Sequence, residues 1–453
     1  MNTSHSSRRE FLKSGFAAIA VSAIPQNSNP PGTTLLRGGR VLSLDRSVGD
    51  FDKADVLIEG SRIRMVQPDI RVPGAKVIDA SNTIVMPGFI DTHRHAWQAP
   101  LRNILPDGLL SDYTRDITGA ARSVYRPDDA YIGDLVTALG AINAGVTTML
   151  DWSHIGNSPE HTDAAIRGLR ESGIRGVYAF GPGAGGPQSQ YPQDIRRLRK
   201  QYFSSNNQLL TLALAAGLNA TDWAVAREVG APITVHVNGA NTLQPLANAL
   251  RSDVTLIHAN NLTEAEWQLA AKTGVSISIA SPIEMEMGHG VPAIQQSLDH
   301  GIRPSLSVDV ETEMAGDFFT QMRSVFTVQR MLRQARERAG EKNLPPLLTA
   351  REVVEFATIE GAKDNALEAK VGTLTPGKDA DIIMLRTDQI NVMPVNNAYG
   401  AVVLSMDTSN VDTVFIAGKL MKSGGKLVSV DMTRITRLLN QSREYLIAKT
   451  GLR

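Results

Sequence analysis

The 453-residue sequence contains no cysteine. That absence excludes a disulfide framework, a thiolate nucleophile and any thiolate metal ligand. A bound metal would have to sit on His, Asp, Glu or Asn, which favours a catalytic site over a zinc-finger type of structural site. Net charge is also missing. The 46 basic and 46 acidic side chains cancel, so nothing points to nucleic acid or to an anionic surface as a partner. What is present is apolar bulk. At 42% hydrophobic residues the chain can bury a large core and fill more than one ordinary domain.

Residues 1–31 read as an address label and linker. Ser7-Arg8-Arg9-Glu10-Phe11-Leu12-Lys13 precedes a short apolar stretch, Gly15–Ala23, and Pro25, Pro30 and Pro31 follow. This pattern resembles a twin-arginine export signal, with cleavage expected after Ala23. The apolar stretch is too short to span a bilayer as a stable helix. The expectation is a mature chain that is not inserted in a membrane, passes through the twin-arginine translocase, and works in the periplasm or outside the cell.

Both ends of the remaining chain alternate in short β-like runs broken by glycine and proline. Residues 32–86 include "TTLLRGGRVLSLD", and residues 371–430 include "GTLTPGKDADIIMLR". Together they predict one small β-sandwich domain built from both chain ends, with a helix over 431–453. Residues 87–370 read differently. Apolar runs at Thr83–Ile90, Val146–Trp152, Ile174–Phe180, Leu209–Gly217, Ile233–Val237, Thr255–His258, Val275–Ala280 and Pro304–Val310 alternate with helical patterns such as Asp129–Ala144 and Thr263–Lys272. Strand and helix alternating in this way predict an α/β fold, a (β/α)8 TIM barrel.

In such a barrel, chemistry gathers at the C-terminal ends of the strands. His93 and His95 follow the first run, His236 ends the fifth, His258 the sixth and Asp309 the eighth. Alternate residues of a strand share a face, so H-x-H aims both imidazoles into one barrel mouth.

"VMPGFIDTHRHAWQ", these strand-end residues and "GTLTPGKDADIIML" together resemble the amidohydrolase superfamily. "LGAINAGVTTMLDW" and "SPIEMEMGHG" are similar to its cytosine deaminase and chlorohydrolase-like members. The resemblance implies that His93, His95, His236 and Asp309 ligate one divalent metal. Zinc is the first expectation, and iron, cobalt and manganese also suit His₃Asp. It implies catalytic roles for Asp309, as ligand and proton acceptor, and for His258, as a hydrogen-bond donor to the attacked group. Hydroxide generated on the metal would attack an electron-poor carbon. The fourth run, "LLTLALAAG", has no lysine to bridge a second metal. Gln98, Trp97, Trp152, His154, Glu284 and His289 are the expected substrate-binding residues. A homo-oligomer is a family expectation.

The resemblance fails at one place. Related deaminases carry H-x-x-E on the fifth strand, and here the segment reads His236-Val237-Asn238-Gly239. A glycine cannot move a proton. Glu284, Glu286, Glu311, Glu313, His289, His154, Asn260 and Asn261 are the residues near the strand ends that could stand in. The reading that follows is a metal-dependent hydrolase cleaving a non-peptide carbon–nitrogen bond in a small molecule: an amide, urea, carbamate or amidine-like group. Deamination of an amino-heterocycle is the alternative, and a catalytically dead binding barrel the third.

Overall fold

The computed structural model describes residues 32–185 and 189–452. The export signal expected within residues 1–31 lies outside the described residues.

Two sheets organise the chain. The first takes strands from both ends: β1 (Thr33–Val41), β2 (Phe51–Glu59), β3 (Arg62–Gln67), β4 (Lys76–Asp79) and β5 (Thr83–Pro87) from one. After eight intervening strands come β14 (Ile382–Arg386), β15 (Val411–Ile416), β16 (Lys419–Ser423) and β17 (Lys426–Leu427) from the other. The hydrogen-bonded order is β17-β16-β15-β14-β5-β1-β2-β3, with β4 beside β1. The β3 end returns to the chain that leads into β14, where Ile63 N donates to Lys378 O at 2.9 Å and Ala380 N to Ser61 O at 2.8 Å. The sheet therefore curls around a core to which both ends contribute, including Leu36, Val56, Ile382 and Phe415.

The second sheet is the barrel. Its parallel strands follow chain order: β6 (Phe89–Arg94), β7 (Val146–Ser153), β8 (Arg175–Phe180), β9 (Leu210–Ala216), β10 (Ile233–Asn238), β11 (Val254–Asn260), β12 (Ser276–Ile279) and β13 (Ser305–Leu306). Helices alternate with them, as the period of the sequence requires. The helix Pro127–Asn143 starts with proline at its first position and acidic residues in its first turn, where the helix dipole favours negative charge.

Two apolar runs are divided differently from their sequence pattern. Thr83–Ile90 belongs to both sheets, as β5 and then β6, with the break at Gly88. A Cβ at Gly88 would lie 2.2 Å from the Thr147 side chain, so only glycine lets β6 pass β7 this closely. Pro304–Val310 contributes a ladder only at Ser305–Leu306. The chain leaves extended geometry at Asp309, whose φ is +70°.

The barrel closes between β13 and β6 mainly through the backbone of that departure. Asp309 N donates to His93 O at 3.0 Å, and His95 N to Asp309 O at 2.9 Å. Below, a hydroxyl cluster fills the interior: Thr92 meets Ser278 at 2.7 Å and Ser305 at 2.8 Å.

At the N-terminal ends of the strands, Arg175 joins barrel to curled sheet. Its Nε donates to Asp381 Oδ2 at 2.7 Å, and its Nη2 to Asp379 Oδ2 at 2.8 Å and Asp381 Oδ1 at 3.0 Å. At the opposite end a roof covers the mouth. It consists of the turn Ala96–Leu101 and a continuous helical piece (Leu110–Tyr113, Thr114–Ala121, Arg122–Val124) whose middle is π-helical. Trp97, Tyr113, Ile117 and Ala121 pack there against Ile283, Met287, Val310 and Leu446, the last from the C-terminal helix Met432–Thr450.

Candidate metal centre

The strand-end histidines and Asp309 converge under that roof. Donor atoms of His93, His236, His258 and Asp309 all lie within 4.8 Å of one another. His93 Nε2 is 3.0 Å from Asp309 Oδ1 and 3.2 Å from His236 Nε2. His258 Nε2 lies 3.8 Å from Asp309 Oδ2. His95 adjoins this set, with Nε2 3.3 Å from Asp309 Oδ1. His258 thus sits among the donor atoms as closely as the histidines that the family resemblance names as ligands.

Local structure fixes each ring. The His95 Nδ1 hydrogen goes to Trp152 O at 2.8 Å, which leaves the Nε2 lone pair facing the centre. His258 bonds through Nδ1 to Glu284 Oε1 at 3.1 Å. The Glu284 carboxylate is held in turn by Ala280 N at 2.9 Å. His258 and Asp309 both have positive φ, +69° and +70°. Strain of about 1–3 kcal/mol per residue, typical of functional sites, is the cost of turning these two side chains inward.

The electrostatics suit a cation. Burial depresses His93 to a pKa of about 3 and puts His236 well below the ordinary imidazole value. These rings are neutral at pH 7, so each can offer a nitrogen lone pair. Burial alone would raise Asp309. The close approach of His93 and His95 and the His258 charge outweigh it and hold the carboxyl well below its usual range. Burial would likewise lower His258, but the hydrogen bond to Glu284 and the Asp309 charge raise it. Neutral nitrogens and an ionised carboxylate on one point form a donor set that fits a divalent metal.

The remaining expected residues fall into two groups. Trp152, Trp97 and His154 form the wall. The Trp152 ring lies 4.4 Å from His236 and the His154 ring 4.2 Å from His95, while Trp97 Nε1 donates to His154 Nδ1 at 3.2 Å. Gln98 and His289 face the mouth with spare capacity. Gln98 Nε2 donates to Tyr113 Oη at 2.6 Å but its Oε1 has no partner, and neither His289 nitrogen has one. Glu284 is bonded to His258 through Oε1 and keeps a buried Oε2 without a partner. The short helix Ser281–Glu286 begins directly after β12 and turns the side chain behind His258, where it orients that ring.

Among the loop carboxylates, Glu311 is committed elsewhere. Arg94 Nη1 donates to its Oε1 at 2.7 Å and Arg102 pairs with its other oxygen. Glu313 is free on one side: Thr312 bonds its Oε2, and its buried Oε1 has no partner. Burial, then the Asp309 and Glu286 charges, push its carboxyl up to about 8.

Sequence reasoning missed Tyr113 and Arg122 on the roof, and Asp134 with Asp151 behind His95. Asp151 Oδ1 accepts from Ala96 N at 3.1 Å. Burial and the Asp151 charge raise Asp134 well above the usual carboxylate range, so it holds a proton. "MLDW", an acid inside an apolar strand, was the available signal for this pair.

Fold and centre together define a class: a metal-dependent hydrolase built on a (β/α)8 barrel. The model of the amidohydrolase family matches residues 84–421. The chain belongs to this family, whose members bind a divalent metal, and it hydrolyses carbon–nitrogen bonds other than peptide bonds. It is 24% identical over 428 residues to a 5-methylthioadenosine/S-adenosylhomocysteine deaminase of Pyrococcus horikoshii, covering 88% of this chain and 97% of the relative. Among solved structures, it resembles an adenosine deaminase from Xanthomonas campestris with bound zinc, with a TM-score of 0.80 at 18% identity over 92% of this chain and 98% of that one. It also resembles a glutamate-to-glutamine mutant of an atrazine chlorohydrolase from Arthrobacter aurescens TC1, complexed with zinc and atraton. There the TM-score is 0.77 at 21% identity, over 90% of this chain and all of that one.

Proposed function

We propose that the protein deaminates an adenosine-like small molecule, with zinc as its metal. The observation that carries this reading is Glu313, a mouth carboxyl with a free oxygen that keeps its proton at neutral pH. It supplies the acid that Gly239 lacks, and the deaminase relatives support the substrate class.

His93, His236, His95 and Asp309 would hold the metal, with His258 beside it. When bound, zinc supplies Lewis acidity and makes hydroxide available near neutral pH. The protein's own residues do the rest. Asp309 takes a proton from the attacking water at its carboxylate. His258, made basic by Glu284, holds a proton at Nε2 and donates a hydrogen bond toward the charge that develops on the ring. Glu313 delivers its Oε1 proton to the departing nitrogen as the carbon–nitrogen bond breaks, and ammonia leaves. Trp97, Trp152 and His154 confine the substrate, and the roof excludes water.

Gly239 favours a second reading, release of an organic amine rather than ammonia. Mass spectrometry of metal-loaded protein offered adenosine, methylthioadenosine, anilides, phenylureas and carbamates separates the two. Ammonia from the adenine ring supports the proposal, and amine release without ammonia replaces it.

Export through the twin-arginine translocase with the metal aboard is part of the proposal. Changing Arg8 and Arg9 to lysine should leave the protein in the cytoplasmic fraction, and normal export of that variant would contradict it.

A further inference from the structure

The guanidinium of Arg94 is taken up by Asp91, Glu311 and the Gly316 carbonyl, and that of Arg175 by Asp379 and Asp381. That of Arg122, on the last turn of the roof helix, is not taken up. Its Nε is shielded from solvent and donates to nothing, and its side chain makes no ion pair or hydrogen bond among the described residues. Its backbone is anchored, because Asn157 Nδ2 donates to Arg122 O at 2.9 Å. The guanidinium is therefore presented from a fixed point. Burial lowers its pKa somewhat, yet arginine stays charged at any physiological pH.

Its neighbours place it beside the mouth: Ala121, just before it, packs in the roof with Tyr113 and Trp97, and Asn157, which holds its carbonyl, follows His154 on the loop after β7. Its charge acts on Tyr113 and on His154, the two residues that carry the roof and the wall to the metal ligands. Tyr113 accepts from Gln98, and the His154 ring lies 4.2 Å from His95. A half-buried cation without a counter-ion costs stability unless something restores the missing partner. An arginine fork matches a planar carboxylate through two parallel hydrogen bonds. A phosphate carries nearly twice the charge, which a single guanidinium would only partly balance.

We infer that Arg122 forms an anion subsite of the active site and takes the carboxylate of a substrate whose reacting carbon sits at the metal centre. The position of that carbon rests on the proposed function. The anion subsite itself rests on Arg122.

Two measurements test it on metal-loaded wild type, Arg122→Gln and Arg122→Lys. The first compares S-adenosylhomocysteine, which carries a carboxylate, with methylthioadenosine, which does not. The ratio of their kcat/KM values should fall at least tenfold in Arg122→Gln, mostly through KM, and by less in Arg122→Lys. An unchanged ratio overturns the inference. Turnover of neither compound overturns the nucleoside reading alone, and the second measurement then decides. Succinate should raise the thermal midpoint of wild type more than that of Arg122→Gln, while succinamide should raise neither. Equal succinate shifts in both proteins, or none in either, overturn the subsite. A larger Arg122-dependent shift with inorganic phosphate overturns the choice of a carboxylate.

Discussion

At the N-terminal ends of the barrel strands, Arg175 is only 2% exposed, and Asp379 and Asp381 take up its donors on both sides. At the opposite end, Arg122 has no acceptor and Glu313 and His289 keep buried atoms without partners. Both regions bury charge in the same small barrel. The saturated network joins two sheets and has nothing left to offer a ligand. The unsaturated groups cost stability where they stand, and that cost is explained if substrate completes them. Both Arg175 and Arg122 are shielded, and it is saturation that sets Arg175 apart from Arg122, Glu313 and His289.

Substitutions at the two ends should accordingly fail in different ways. The largest effect belongs to the mouth. Asp309→Asn removes the ionised donor and the proton acceptor together, and should lower kcat by about 10⁴-fold with loss of bound metal in elemental analysis. Full activity in that variant would dissolve the site assignment. Arg175→Met comes next and should read as stability alone. It strands Asp379 and Asp381 and should cost about 3–5 kcal/mol in urea unfolding, with kcat/KM of the folded protein close to wild type. A selective loss of activity would blur the two regions.

Glu313→Gln returns to the mouth and should lower kcat by about 10²-fold. In wild type, activity should fall as pH rises through about 8, where Glu313 loses its proton, and this alkaline limb should vanish in the variant. The sign for stability follows. The folded carboxyl binds its proton more tightly than the unfolded one, so wild-type stability should decrease as pH rises from the ordinary glutamate range to about 8. Gly239→Ala should have the smallest effect. A Cβ there meets nothing within 4 Å, but φ is +111°, so only backbone strain of about 1–3 kcal/mol is expected. The same φ opposes simple restoration of a glutamate at this position.

The strand-end rule made the centre legible. His93, His95, His236, His258 and Asp309 could be found because alternation along a strand and the polarity of a parallel barrel are local properties. Other residues depend on distant partners. Glu311 and Glu313 look alike in "DVETE", and only Arg94 and Arg102 decide which is committed. Arg122 sits in "TGAARSVYRP", a stretch that reads as an ordinary surface helix until the roof folds over the mouth. The bond from Glu284 to His258 is equally hidden, because the sequence does not show the short helix Ser281–Glu286 turning toward that ring. The break of Thr83–Ile90 at Gly88 was hidden because both sheets want the same β-branched residues, and Pro87-Gly88 was the one local cue.

The seam between β13 and β6 ties these matters to the barrel as a whole. Its upper rungs are the amides and carbonyls of His93, His95 and Asp309, while the ladder proper spans only Ser305–Leu306. The first and last staves of the cylinder are thus buckled at the point where their side chains would share a cation. Loading the centre and shutting the cylinder become one equilibrium, so the apparent robustness of the fold should rise with metal concentration by mass action.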